Sequence, residues 1–317
     1  MLRYATSYYG SQSKETMSVV TQFVEQTGKY VDITSGGSSY PYQLLYNGLQ
    51  VGVNDRCYYS YLNSKVVFTK SSCVVDEQIL DINNRKDGYL SSLLMEKYFS
   101  SDLAGYIDYV CDSGDELIRA LVGRVLVGKF TFRGFGWAKK MVDGSFTNTY
   151  TPEQFRKDML KQAKRIEAFT SQLPDDKCIG VTNMDALQSL NNLDVSDAVV
   201  YTDPAWPWIG NMAQNPYKFF TDDVSSILMQ KHAPQPVFWD ERTDAQIIDE
   251  VISWGQSALS HGAKYFILST QSTNRPSPPH MYDIINKTLH LHQYIVKDAW
   301  SFGSHKNFGE YFGVYTL

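Results

Sequence analysis

The chain has 317 residues, of which 43% are hydrophobic and 20% are charged, a mixture that is typical of a folded globular protein and excludes a disordered or fibrous one. This length is enough for one large domain or two ordinary domains with a full hydrophobic core. The formal net charge of −5 argues against a protein whose whole surface binds nucleic acid.

The first predicted elements alternate between helix and strand. A helix is predicted over residues 13–30, with Gly28 as the residue that ends it. A strand at 30–34 runs into the loop SGGSS, and a second helix and a second strand follow at 41–48 and 49–55. A strand, a glycine loop, a helix and a strand that ends in an acid are typical of a doubly wound, mostly parallel α/β sheet.

Residues 80–175 interrupt this alternation. They contain helical patterns around a stretch rich in glycine and aromatic residues, KFTFRGFGW (129–137). The predicted helices of this region lie at 91–99, 115–126 and 152–169. We therefore expect an inserted, mainly helical domain at 80–175, and a sheet domain formed by residues 1–79 and 176–317.

The alternation of strands and helices resumes after the insert. Predicted strands lie at 178–183, 198–203, 264–270, 291–299 and 308–316. Predicted helices lie at 243–260 and 281–290. The sheet domain therefore draws its strands from both sides of the insert.

Acidic residues stand at the carboxyl ends of the predicted parallel strands. These residues are Asp32, Asp55, Asp185 and Asp203. The first of them precedes a loop that contains Gly36 and Gly37. Each acid alone is more often a helix cap, and a single glycine loop is more often a turn. Four acids at one edge of a doubly wound sheet indicate a ligand site, because such sheets bind ligands at that edge.

The last of these acids belongs to an unusual strand end, VVYTDPAWPW (199–208). A packed core has no use for an ionised carboxylate there, because a charge must be paired or solvated. An indole beside the acid favours a flat partner. We interpret Asp203, Pro204 and Trp206 as a pocket for a planar base that carries an amino group. The alternative is an aspartate that caps a helix and a tryptophan that packs in the core.

The basic residues are concentrated in one segment. Residues 116–166 contain eleven Lys or Arg against four Asp or Glu, a net charge of +7, and the rest of the chain carries −12. Such a segment is typical of a module that contacts phosphates, and equally of a solvated helix. The predicted phosphate or base contacts are Arg124, Lys129, Arg133, Lys139 and Lys140.

Metal sites and membrane segments are not indicated. The four cysteines form no C-x-x-C pair, and His290 and His292 have no third ligand candidate near them, so we expect no metal site. The sequence has no run of about 18 apolar residues and no apolar signal segment at its start. We therefore expect no membrane contact and a cytoplasmic location.

Seven segments follow one another in an order and spacing that resemble a known family. They are YYGSQSK (8–14), DITSGGSS (32–39), VGVNDRCYYSYLN (51–63), KFTFRGFG (129–136), VTNMDAL (181–187), VVYTDPAW (199–206) and FGEYFGVYTL (308–317). The family is that of the Dam-like adenine-N6 DNA methyltransferases, which use S-adenosylmethionine. The segments resemble, in turn, its N-terminal Y-P-G-G-K-S-K loop, its D/E-P-F-x-G-x-G cofactor loop, its N-D-I-N stretch and an F-x-G element of its target-recognition region. The last three resemble the strand end that contacts the cofactor adenine, the catalytic D-P-P-Y motif and the closing strand.

The resemblance implies a Rossmann-like methyltransferase sheet with an inserted, mainly helical recognition domain. It implies methyl transfer from S-adenosylmethionine to the N6 amino group of adenine in double-stranded DNA. In such a mechanism Asp203 and the carbonyl of Pro204 accept the two amino N–H bonds, and Trp206 stacks on the flipped base. The implied cofactor contacts are Tyr8, Gly10, Lys14, Asp32, Gly36, Gly37, Asp55 and Asp185. A role in a restriction–modification system or in a phage is consistent with this assignment.

Several positions depart from the family motifs. Ser11 and Gln12 replace a glycine and a lysine of the N-terminal loop. In the cofactor loop, Ile33 and Thr34 stand where the family has Pro-Phe, and Ser38 replaces the last glycine. The loss of an aromatic cover and of a glycine is expected to weaken cofactor binding.

Two other functions stay open at this point. One is a non-catalytic DNA-binding protein on a methyltransferase scaffold, because the departures concentrate in the cofactor loops. The other is methylation of a different planar amine or amide, such as adenine in RNA or a glutamine side chain.

Overall fold

The computed structural model describes residues 14–70, 74–92, 99–130, 150–204, 206–207, 224–233, 242–301 and 306–317. Within these ranges the protein is an α/β structure with a seven-stranded sheet and eleven helices. The chain divides into two compact units, which we call the sheet unit and the helical unit.

The sheet unit consists of the described parts of 10–56, 174–215 and 237–317. Its strands are β1 (Lys29–Asp32), β2 (Gln50–Asn54), β3 (Cys178–Thr182), β4 (Val199–Thr202), β5 (Tyr265–Gln271), β6 (His290–Ser301) and β7 (Lys306–Thr316). Its helices are α1 (Lys14–Thr27), α2 (Ser39–Tyr46), α8 (Ala186–Ser189), α10 (Asp244–Ser260) and α11 (Pro278–Ile285).

The helical unit consists of the described parts of 57–173 and 216–236. Its helices are α3 (Tyr58–Phe68), α4 (Tyr89–Ser92), α5 (Ser101–Ser113), α6 (Glu116–Phe130), α7 (Pro152–Thr170) and α9 (Ser225–Met229).

The strand order of the sheet is β3-β2-β1-β4-β5-β7-β6. The first five strands are parallel, while β7 is antiparallel to both of its neighbours, β5 and β6. The parallel part follows the Rossmann-like order 3-2-1-4-5, in which the chain reverses direction across the sheet between β1 and β4. The prediction of a doubly wound, mostly parallel sheet is therefore confirmed.

Alternate residues of the strands pack on opposite faces of the sheet. On one face Val31, Val200 and Phe266 join a core cluster with side chains of α10 and α11. On the other face the ring of Phe23 from α1 lies 5.0 Å from that of Tyr265. Helices cover both faces, so the ends of the strands are the part of the sheet that is left for a ligand.

The helical unit begins earlier in the chain than the sequence predicts. We expected the insert to start at residue 80, but α3 belongs to the helical unit and buries eight of its eleven residues. Two hydrogen bonds tie α3 to α6: Arg124 Nε donates to Asn63 Oδ1 at 2.6 Å, and Lys65 Nζ donates to a carboxylate oxygen of Glu116 at 2.9 Å. The division therefore falls between Arg56 and Cys57, and residues 224–233 also join this unit.

Most predicted elements of the sheet unit lie where the sequence places them, and Gly28 adopts the left-handed φ of +71° that ends α1. The predicted helix at 281–290 is displaced. It starts at Pro278, because two prolines occupy its first turn, and it ends at Ile285. Residues from His290 onward pair with β7 instead.

Some predicted features lie outside the described residues. They include most of the predicted helix at 91–99 and of the KFTFRGFGW stretch. Among the residues that are described, no helix is both long enough and apolar enough to cross a membrane.

Candidate functional site

Three acidic side chains from different strands gather at one edge of the sheet unit. Asp32 ends β1, Asp203 follows β4, and Glu310 lies in β7 opposite Gln271, the last residue of β5. We call Asp32, Asp203 and Glu310 the acid edge. The order of the strands reverses between β1 and β4, and doubly wound sheets bind ligands at the carboxyl ends of the strands at this point. Sequence analysis missed Glu310, although it is an acid inside the otherwise apolar and small-residue strand FGEYFGVYTL.

Asp32 supports the loop that follows β1. Its carboxylate is fully buried, and it accepts hydrogen bonds from the hydroxyl of Tyr30 at 3.1 Å and from the backbone N–H of Thr34 at 3.1 Å. The carboxylate therefore lies beneath the loop. Direct contact between Asp32 and a cofactor stays a prediction.

Thr34 joins this loop to the strand end that carries Asp203. Its hydroxyl oxygen accepts the backbone N–H of Asp203 at 3.0 Å and lies 3.2 Å from the hydroxyl of Thr202. This residue stands where the resembling family has an aromatic, and sequence analysis counted it only as a loss. In the structure it fixes the backbone of Asp203 instead.

The surroundings of Asp203 favour its neutral form. Burial raises the pKa of its carboxyl to about 8, and the negative charges of Glu310 and Asp32 act in the same direction. The indole N–H of Trp206 opposes this shift, because it stabilises the carboxylate. A strongly perturbed acid at a strand end in the ligand-binding part of a fold is a candidate functional residue.

The indole ring of Trp206 has no exposed face on which a base could stack. The residue is only 4% exposed and belongs to the core cluster, and its indole N–H donates to the carbonyl of Ser269 at 3.0 Å. This corrects the expectation that Trp206 stacks on a flipped base, because a packed ring offers no free surface. Its N–H is also close enough to influence the carboxyl of Asp203. Trp206 thus positions the strand end.

The carbonyl of Pro204 keeps acceptor capacity. It accepts the backbone N–H of Trp206 at 2.7 Å, and a carbonyl oxygen has a second lone pair. Ala205, between these two residues, lies outside the described residues.

The ends of β1, β2 and β3 are held together by polar side chains. Buried Asn54 donates to the carbonyls of Ile33 and Met184, and its own oxygen accepts from the hydroxyl of Thr182. Next to it, a carboxylate oxygen of Asp55 accepts the backbone N–H of Gly36 at 2.6 Å. The predicted cofactor residues Gly36 and Asp55 are therefore in direct contact.

Two residues in the loop after β1 adopt a left-handed backbone conformation. Gly36 has a φ of +50°, and Ser38 has a φ of +51°. A left-handed conformation suits glycine but costs about 1–2 kcal/mol for an L-residue. Ser38 stands where the resembling family has its last glycine. The structure thus keeps the glycine-like turn, and serine adopts it.

Other predicted cofactor contacts have ordinary roles or lie outside the described residues. Asp185 caps α8 by accepting the N–H of Leu187 at 3.0 Å, and its carboxylate lies 3.9 Å from the guanidinium of Arg56. Lys14 is the exposed first residue of α1, while Gly37 is buried in the loop after β1. Tyr8 and Gly10 lie outside the described residues.

The helical unit corrects one predicted DNA contact. Arg124 is only 5% exposed, and burial lowers the pKa of its guanidinium to about 9. A buried side chain that donates to Asn63 is not available to a phosphate. The signal was present in α6, ELIRALVGRVLVGKF, because its apolar residues cover all sides of the helix. Lys129 lies at the end of α6 but its side chain is not described, and the described residues do not include Arg133, Lys139 and Lys140.

Comparison with known proteins gives no assignment for this chain. No protein-family model matches it, and no curated protein matches it. The part of the chain that the structure describes also contains no group of three or more His, Cys, Asp or Glu residues arranged to hold a metal ion. The acid edge and its surroundings are therefore the features of this chain that point to a function.

Proposed function

We propose that this chain is a methyltransferase that transfers a methyl group from S-adenosylmethionine to the N6 amino group of adenine in DNA. The observation that carries the proposal is the position of Asp203 and Pro204 directly after β4. There the backbone of Asp203 is fixed by Thr34. A doubly wound sheet with acidic strand ends at that edge is the arrangement that the family resemblance predicts.

The two acceptors after β4 suit the chemistry of an exocyclic amine. The adenine amino nitrogen is a weak nucleophile, because its lone pair is delocalised into the ring. The carboxylate of Asp203 and the carbonyl of Pro204 would accept its two N–H bonds. This draws the nitrogen towards tetrahedral geometry and orients its lone pair. Thr34 and Trp206 take no part in the chemical step. They position the two acceptors.

The acid edge suits a cofactor that carries positive charge. When bound, S-adenosylmethionine supplies a methyl group on a positively charged sulfur. A positive charge near Asp203 offsets the repulsion from Glu310 and Asp32 and lowers the pKa of the carboxyl. The loaded protein would then hold Asp203 as the carboxylate that the reaction needs. The polar groups of the Gly36 loop and Asp55 would hold the remainder of the cofactor.

Titration calorimetry with S-adenosylmethionine, followed by a methyl-transfer assay on adenine-containing duplexes, tests the proposal. We expect saturable binding, and release of protons at pH 7 when binding is compared in two buffers of different ionisation enthalpy. Asp203→Asn should lower the rate of transfer by about 10³-fold, the effect of losing one such electrostatic contact, and should release no protons. Asp249→Asn is the control, because Asp249 is an exposed acid on α10.

An Asp203→Asn variant that keeps a rate within tenfold of wild type would overturn the mechanism. The burial of Trp206 favours one second candidate, a DNA-binding protein that does not catalyse, because a packed ring cannot stack on a flipped base. Folded wild-type protein that binds duplex DNA, but neither binds S-adenosylmethionine nor transfers a methyl group, would establish that candidate.

A further inference from the structure

Four cations form an exposed row on α7. Lys157, Lys161, Lys164 and Arg165 are all exposed. Lys157, Lys161 and Lys164 follow one another at spacings of four and three residues, and Arg165 lies four residues after Lys161, so all four share one side of the helix. We call these four residues the α7 stripe. Its length along the helix axis is about 12 Å, because an α-helix rises about 1.5 Å per residue.

The helix holds the stripe at fixed spacing. Its opposite side is buried in the helical unit, where Phe155, Met159 and Ile166 are fully inaccessible to solvent. Its first turn is closed by a capping box, in which Thr151 and Gln154 exchange side-chain and backbone hydrogen bonds. The cations therefore project from a rigid support, which lowers the entropy that a partner must remove on binding.

The stripe is not neutralised within the described part of the chain. Arg156 of the same helix pairs with Glu77 at 2.8 Å, whereas none of the four stripe residues makes an ion pair with another described residue. Glu153, Asp158 and Glu167 of α7 lie beside the stripe. Even so, α7 carries five cations against these three acids.

We propose that the α7 stripe binds the phosphate backbone of DNA, an inference that rests on the proposed function for its choice of polyanion. A protein partner would need apolar or aromatic anchors at the centre of the interface. The exposed neighbours of the stripe are instead Gln154, Ala168 and the flanking Glu153 and Glu167, none of which is a large apolar or aromatic side chain. Phosphates need only cations, and lysine binds them as a point charge. One strand of B-DNA carries a charge every ~3.4 Å of axis, so the stripe matches three to four phosphates.

Arg124 is buried, so among the described residues we place the DNA contacts on the α7 stripe instead. Backbone contacts position a protein on the duplex but carry no sequence information. The stripe should therefore bind all duplexes alike, and base recognition must come from other residues.

The test measures how the affinity for a fluorescent duplex depends on salt between 50 and 300 mM KCl, with the full chain. The test variant carries Lys157→Gln, Lys161→Gln and Lys164→Gln. Its slope of log affinity against log salt should be smaller by about 2–3, because each phosphate contact contributes about 0.9. Its affinity at the lowest salt should fall at least tenfold, equally on duplexes with and without a methylation site. The control carries Lys231→Gln, Lys264→Gln and Lys297→Gln, three exposed lysines elsewhere, and should keep the wild-type slope.

Failure of this inference and failure of the proposed function give different results. A triple variant with the wild-type slope and affinity overturns the inference, as does a wild-type protein that binds no duplex at 50 mM KCl. Tighter binding of an acidic polypeptide of equal charge, with the same dependence on the three lysines, would also overturn it. Wild-type protein that binds duplex but transfers no methyl group contradicts the proposed function only, and the slope comparison still decides the role of the stripe.

Discussion

Asp203 of the sheet unit and Arg124 of the helical unit are both ionisable side chains that lose contact with water in the fold, Arg124 almost completely and Asp203 in part. Burial shifts the pKa of each towards the neutral form, to about 8 for Asp203 and to about 9 for Arg124. Their neighbours differ. Arg124 lies between packed helices and donates to the neutral amide of Asn63, and the positive charge of Arg165 adds to the lowering of its pKa. Asp203 is partly exposed at a strand end, where Glu310 and Asp32 repel its charge.

This difference indicates two different roles. Arg124 fills space between packed helices and has a neutral acceptor aligned on it, so we assign it a structural role, although its lowered pKa shows that burial of its charge also costs stability. An acid that is kept among like charges at the ligand-binding edge costs stability in the free protein, and such a cost is typical of functional sites. The following substitutions test this distinction.

Arg124→Ala is expected to have the largest effect on stability. The variant leaves a cavity between α3 and α6 and removes the donor from the buried amide oxygen of Asn63. The free energy of unfolding should fall by about 2–4 kcal/mol, measured by urea unfolding with circular dichroism. The salt dependence of DNA binding should not change. A variant with wild-type stability and a smaller salt slope would contradict this role and return Arg124 to the phosphate contacts.

Asp203→Asn should change how stability depends on pH. The pKa of about 8 in the native protein exceeds the value of about 4 in an unfolded chain. Between these values the native state binds more protons than the unfolded state, so the free energy of unfolding falls as pH rises. The variant lacks this group. It should be more stable than wild type by about 1–3 kcal/mol at pH 8, allowing for partial exposure, and equal to it near pH 4.

Urea unfolding at pH 4, 6 and 8 measures this difference. Glu310→Gln should give part of the same effect, because it removes the largest like charge acting on Asp203. Asp249→Asn should follow wild type at every pH. If the free energies of unfolding of wild type and Asp203→Asn changed with pH in parallel, Asp203 would not destabilise the native protein.

Thr34→Val should have a smaller effect, and on the reaction more than on the fold. Valine keeps the shape of threonine but cannot accept the backbone N–H of Asp203. The loss of one hydrogen bond corresponds to roughly a five- to tenfold lower kcat, with the KM for DNA and the affinity for S-adenosylmethionine unchanged. Thr34→Ser keeps the hydroxyl and should restore the rate. Equal rates for the valine and serine variants would remove Thr34 from the positioning of Asp203.

Ser38→Gly should have the smallest effect. Glycine relieves a left-handed conformation that costs about 1–2 kcal/mol, but it also adds about 0.5–1 kcal/mol of entropy to the unfolded chain. The net gain in stability is therefore between about zero and about 1.5 kcal/mol, measured by thermal unfolding. Ser39→Gly is the matched control at the first residue of α2 and should lower the melting temperature.

The sequence predicted the sheet better than the boundary between the units. The strands of the sheet unit alternate with helices, and β1, β2 and β4 end at or directly before an acid, so their local patterns are strong. The segment of α3, YYSYLNSKVVF, buries polar Ser60, Asn63 and Ser64 together with its apolar residues, so polar and apolar positions are not separated into two sides of the helix. Without an amphipathic period it gave no signal for a helix, and the insert was placed too late in the chain.

The candidate site was only partly accessible to sequence reasoning. The acids at the strand ends were found because strand ends are recognisable. The contacts of Thr34 and Glu310 were not, since each depends on strands that are distant in sequence and adjacent in space. The burial of Trp206 was likewise decided by packing, with the carbonyl of Ser269 as the acceptor of its indole N–H.

The position of β7 has a consequence for the synthesis of the protein. This strand follows β6 in the chain but lies between β5 and β6 in the sheet. While the chain leaves the ribosome, β6 emerges first and finds no partner within the sheet. Only when residues 306–316 emerge can β7 pair with β5, and β6 can then pair with β7. Glu310 arrives with them, so the acid edge is complete only after β7 has joined the sheet.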